Sequence, residues 1–76
     1  MKTLKSILKY WEFNQKYEYY DLIFNTYFNG NISSVRELFS TMQKADRKDC
    51  YKYYEGFYDF PNEGQRNDLN FFFNLI

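Results

Sequence analysis

Leu4-Lys5-Ser6-Ile7-Leu8-Lys9-Tyr10-Trp11-Glu12-Phe13-Asn14-Gln15-Lys16-Tyr17-Glu18-Tyr19-Tyr20-Asp21-Leu22-Ile23-Phe24 is the stretch on which the fold turns. Its first half carries Leu4, Ile7, Leu8 and Trp11 at i, i+3, i+4 and i+7, the apolar spacing of an amphipathic helix. A second stripe, Tyr10, Phe13, Tyr17, Tyr20, Phe24 and Tyr27, alternates spacings of three and four. At about 100° per residue the two stripes lie roughly opposite each other. One straight helix cannot turn both toward a single core. The phase conflict predicts a break or kink near Glu12–Lys16, with a helix on each side of it; the alternative is one long helix buried on opposite faces at its two ends.

Working outward, Asn29-Gly30-Asn31 closes the second helix, because Asn and Gly tolerate the left-handed backbone that ends one. Ser34-Val35-Arg36-Glu37 then reads as a capping box ahead of Val35, Leu38, Phe39 and Met42, which places a third helix over about 34–43. The charged run Lys44–Asp49 contains no helix breaker, and Asp46 is a candidate cap. Cys50, Tyr53, Tyr54 and Phe57 continue a helical spacing. Pro61, Asn62 and Gly64 mark a loop, and Leu69, Phe72, Phe73 and Ile76 resume the helical pattern. The expectation is a single all-α domain over 1–76, a small bundle of three to five helices. The alternative is an α+β fold in which Tyr51–Phe60 and Leu69–Ile76 pair as a C-terminal β-hairpin, since Tyr and Phe favour strands.

Composition narrows the chemistry. Ten basic and ten acidic residues among 76 leave no net charge. A neutral chain is a poor phosphate-backbone binder and a poor mimic of DNA. Leu, Ile, Val and Phe make up 20 residues, too many for a disordered chain. A core at this length is marginal, so packing, self-association or a partner must supply stability. Cys50 is the single cysteine, which rules out an internal disulfide. No apolar run is long enough to span a membrane, and lysines at 2, 5 and 9 interrupt any leader-like stretch. The sequence-based placement is the cytoplasm of a host cell.

An enzyme is not expected. His, the usual general base near neutral pH, is absent. Asp46 and Asp49 share a helix face with Arg47, Lys48 and Lys52, which reads as a solvated face with local ion pairs. Cys50 has no His to activate it and falls on an apolar stripe, so a buried, inert thiol is expected. The three glycines lie far apart and form no phosphate loop. Neither a metal nor a cofactor is implied.

The nineteen aromatic residues are the most informative feature. Each buries about 150–250 Å², more in total than so small a core can hide. Some must reach the surface, where Tyr and Trp serve as interface anchors. The candidates are Tyr10, Tyr17, Tyr19, Tyr20, Tyr27, Tyr51 and Tyr58. Codon bias accounts for part of the excess. Phe, Tyr, Met, Ile, Asn and Lys, which have AT-rich codons, number 39, against 8 for Gly, Ala, Arg and Pro. An AT-rich phage or mobile element is the implied origin.

These features suggest a non-enzymatic accessory protein that binds a larger host protein. Its sharpest form is an inhibitor of a host defence nuclease, of anti-CRISPR or anti-restriction type. One alternative is a small nucleic-acid-binding domain using Lys2, Lys5, Lys9 and Lys16, a basic strip beside Tyr10 and Tyr17. The other is a homodimer in which the Tyr10–Tyr27 stripe packs against its own copy.

Overall fold

The computed structural model describes residues 1–57 and 70–76. The chain forms helices α1 (Leu4–Trp11), α2 (Lys16–Phe28), α3 (Ile32–Thr41) and α4 (Lys44–Phe57), followed by a short helix α5 over 70–74. The described residues make a compact all-helical globule with no strand. Residues 51–57 are helical, as are 70–74, so the hairpin alternative is overturned where it can be compared. The apolar spacing there packs inward at Cys50, Tyr54 and Phe72, and helical periodicity outweighs the strand preference of Tyr and Phe. The expected loop around Pro61–Gly64 lies outside the described residues.

Local signals explain the helix ends. Thr3 Oγ1 accepts from the Ser6 N–H at 3.3 Å and caps the start of α1. The break falls where the two stripes part. Glu12 adopts φ 59°, the left-handed region, and ends α1. The Phe13 N–H donates to the Leu8 carbonyl and the Glu12 N–H to that of Lys9, which completes a Schellman motif. Glu18 then reaches back, its Oε2 accepting from the Asn14 N–H at 2.7 Å ahead of α2. Gly30, at φ 82°, closes α2 in the same way: the Asn31 N–H donates to Thr26 and the Gly30 N–H to Tyr27.

The start of α3 departs from expectation. Asn31, not Ser34, is the cap: its Oδ1 accepts from the Ser34 N–H at 3.3 Å. The helix therefore begins at Ile32, two residues before the S-x-x-E box, because Gly30 has already turned the chain and brings Asn31 to the capping position. Nor does Asp46 cap α4, which begins at Lys44 and holds Asp46 within its first turn. Between α3 and α4, Met42 is extended and bridges in parallel to Lys2, whose N–H donates to the Thr41 carbonyl at 2.9 Å. That bridge ties the residues before α1 to the far end of α3.

Helix α2 is the centre of the core. It contributes Tyr19, Tyr20, Ile23 and Phe24, all buried. Around it close Ile7 from α1, Val35 and Phe39 from α3, Met42 just after α3, Cys50 and Tyr54 from α4, and Phe72 from α5. Phe24 lies 4.3 Å from the Tyr54 ring centroid and 5.1 Å edge-to-face from Phe72. Phe72 also meets Tyr27 at 5.1 Å, Tyr54 at 5.2 Å and Phe39 at 6.0 Å. Ring pairs of this kind add about 0.5–1.5 kcal/mol each beyond the area they bury.

Candidate partner-binding surface

The tyrosines expected at the surface divide sharply. Tyr10 is 74% exposed and Tyr17 43%. Tyr27 and Tyr51 are half-buried. Tyr19 and Tyr20 are buried outright, which corrects the expectation that they face solvent. Tyr58 lies outside the described residues. The two buried tyrosines are accommodated because each hydroxyl has an acceptor. Tyr19 donates to the Leu38 carbonyl at 2.6 Å, and Tyr20 to Asp49 Oδ2 at 2.8 Å. Burial pushes the Tyr19 phenol up to about 12. It raises Tyr20 too, reinforced by the bond to Asp49, which would be lost on ionisation.

Burial of Tyr20 and Phe24 also divides the Tyr10–Tyr27 stripe. A self-association seam running its whole length does not exist as one surface. The basic strip is divided as well. Lys16 leaves it for α4, where its Nζ lies 2.8 Å from Asp49 Oδ2. The lysine is held above its ordinary pKa and Asp49 below its own, each first by that hydrogen bond. Both side chains are more than a third exposed, so the pair contributes little to stability. It does replace the local ion pairs expected for Asp49 with a link between α2 and α4. Lys5 and Lys9 remain exposed on α1, while the Lys2 ammonium lies 5.5 Å from the centroid of the Tyr10 ring.

Cys50 is fully buried, and desolvation raises its thiol far above the usual range, so the thiolate is suppressed. Among the described residues no three His, Cys, Asp or Glu side chains come together as a metal site, and no helix is long and apolar enough to cross a membrane.

The exposed aromatics among the described residues are Tyr10, Trp11, Tyr17, Phe28 and Phe73, and of these Tyr10 and Trp11 lie side by side at the end of α1. Trp11, which the α1 spacing assigns to the core, is 40% exposed. Only Ile7 of its stripe is fully buried, because the chain turns away at Glu12 and leaves the last residue of the helix at the rim. The Trp11 ring stacks on Phe13 at 6.0 Å and 13° and meets Tyr10 at 5.6 Å and 82°. Beneath it lies Tyr19, at 6.5 Å. Two hollows flank Trp11. One, of about 220 Å³, lies between α1 and α3 and is lined by Lys2, Ile7, Tyr10, Trp11, Tyr19, Glu37, Leu38 and Thr41. The other, of about 360 Å³, is lined by Trp11, Leu22, Thr26, Asn31, Ser34, Glu37 and Leu38. Trp11, Glu37 and Leu38 form the ridge shared by both. In the sequence Glu37 reads as part of a capping box and Leu38 as part of the α3 apolar stripe; only the approach of α3 to α1 makes them neighbours of Trp11.

A second aromatic cluster sits across the molecule. Tyr17 packs 4.9 Å from Tyr53, with Lys16 Nζ 5.4 Å from the Tyr17 centroid. Its hydroxyl-bearing partner Tyr53 donates to Asp21 Oδ1 at 2.9 Å. This cluster links α2 to α4 and lines neither hollow.

Searches of family models, curated proteins and solved structures find no match to this chain. The class its geometry defines is thus a small aromatic-rich helical globule with an exposed tryptophan–tyrosine corner.

Proposed function

We propose that this chain is a non-enzymatic binding protein that acts by covering part of the surface of a larger protein, with the Tyr10–Trp11 corner as its contact. The observation that carries the reading is the exposure of these two large rings, 74% and 40%, beside hollows that a partner's side chains can fill. Tyr and Trp are enriched among the residues that anchor protein interfaces. Absence of His from the sequence and suppression of the Cys50 thiolate favour binding over catalysis. The narrower version, inhibition of a host defence nuclease in an AT-rich phage or mobile element, rests on size and residue choice alone.

Tagged wild-type protein and a Tyr10→Ala/Trp11→Ala variant, captured in parallel from host lysate, test the proposal. The expected result is a specific protein recovered by the wild type and lost with the variant, which keeps its helical circular dichroism. Equal recovery by both, or no specific protein with the wild type, overturns it.

A further inference from the structure

We infer that the corner formed by Tyr10, Trp11 and Glu37 receives an arginine side chain of the protein partner. This deepens the proposed function and rests on it, since it specifies the chemistry of the group that docks there. Three observations converge. Two exposed rings meet edge-to-face there, 5.6 Å between centroids, and a ring face is the negative side of its quadrupole. The chain's own Lys2 ammonium already lies 5.5 Å from the Tyr10 centroid, so a cation is accommodated at that face. Glu37 lines both hollows, and among the described residues its carboxylate has neither an ion pair nor a hydrogen-bond partner. Its backbone carbonyl accepts from the hydroxyls of Ser40 and Thr41.

The floor of the hollow leaves Glu37 as its charged acceptor. Tyr19 has committed its hydroxyl to Leu38 and is held protonated by burial. A guanidinium suits such a place better than an ammonium. It is planar, stacks on a ring and can bond a carboxylate through two parallel N–H groups. Lys2 then becomes an internal competitor for the same ring face, and its charge disfavours a second cation beside it.

The sequence has a single tryptophan, so Trp11 emission reports this site alone. The probe is the peptide acetyl-Gly-Arg-Gly-amide, titrated against the same peptide carrying neutral citrulline in place of arginine. The arginine peptide should shift Trp11 emission saturably, and the citrulline peptide should not. Glu37→Gln should weaken the arginine peptide about tenfold, as loss of a charged hydrogen-bond acceptor does. Lys2→Met, which keeps the backbone bridge, should tighten it roughly two- to fivefold, the value of one exposed cation–π contact. No saturable shift, equal shifts from both peptides, or a Glu37→Gln variant that binds as the wild type overturns the inference. The binding-surface reading fails separately, on the partner capture by the Tyr10→Ala/Trp11→Ala variant. Loss of capture there with no arginine response leaves the surface standing and removes only the arginine.

Discussion

Two aromatic clusters, built from the same residue types, behave in opposite ways. On one side Tyr20, Phe24, Tyr54 and Phe72 are buried to 1% or less. On the other, Tyr10 and Trp11 stand at 74% and 40% exposure. Tyr10, Phe13, Tyr17, Tyr20 and Phe24 all belong to one periodic stripe, so sequence spacing alone treats them as equals. The difference is the left-handed turn at Glu12. It detaches α1 from the phase of α2 and leaves the end of α1 overhanging the groove toward α3. Past that turn Tyr17 is still 43% exposed while Tyr20 and Phe24 are buried, so the turn and the packing around α2 together decide which rings of the stripe are core.

The comparison breaks most readily at Phe24. Phe24→Ala should cost about 3–5 kcal/mol. That is a large share of the total, since roughly 0.05–0.15 kcal/mol per residue gives about 4–11 kcal/mol for 76 residues. Loss of the cooperative thermal transition by circular dichroism is expected. A variant that still melts cooperatively near the wild-type temperature would show that the buried cluster is not the core.

Alkaline pH is the next lever. Tyr19 and Tyr20 have raised pKa values in the fold, so their contribution is intact below the ordinary value of 10.0. It is lost as pH rises from there through the folded values, about 12 for Tyr19, because the unfolded chain releases those protons first. Phenol absorbance followed with pH should show Tyr19 and Tyr20 among the tyrosines that ionise only with unfolding. Removing the Tyr20 hydroxyl has a smaller effect. Tyr20→Phe should destabilise by about 1 kcal/mol, read as a lower urea midpoint, because Asp49 keeps Lys16 as a partner.

Acid acts more weakly still. Asp49 lies below its ordinary 3.8 in the fold, so it favours folding above that pH. The contribution disappears as pH falls through the lowered value. Asp49→Asn should flatten that part of the pH–stability curve. The smallest effect belongs to the corner: Tyr10→Ala should change stability by no more than about 0.5 kcal/mol in a urea titration. A larger loss would mean that Tyr10 is a structural residue, and the contrast between the two clusters would fail.

Helix order was legible in the sequence because capping and turn chemistry act over a few residues. The conflict of stripes placed the break, and Gly30 placed the next turn. Competition between neighbouring capping groups was harder to read: Asn31 and Ser34 both suit a helix start, and Gly30 decides between them by fixing where the chain turns. Burial of Tyr19 and Tyr20 was not legible. Helix α2 is covered by α1, α3, α4 and α5, so its buried arc is wider than a one-sided stripe and takes in residues that look like its outer face. The candidate site was legible in part. Tyr10 stood out by its phase, whereas Trp11 was hidden within an apolar stripe, and Glu37 was marked only as part of a capping box.

By itself, then, the sequence favoured an all-helical chain over a C-terminal hairpin, and it determined a break near Glu12, a turn at Gly30, and a supply of aromatic rings too large for one small core. Those follow from periodicity, backbone preference and area, which are local or additive properties. Only the tertiary structure decided which rings fill the core and which stand out. That choice depends on how α1, α3 and α4 close around α2, and on acceptors as distant in sequence as Leu38 and Asp49 arriving to satisfy Tyr19 and Tyr20. A buried hydroxyl without such a partner costs too much to keep, so the burial of these tyrosines is a property of the assembled fold.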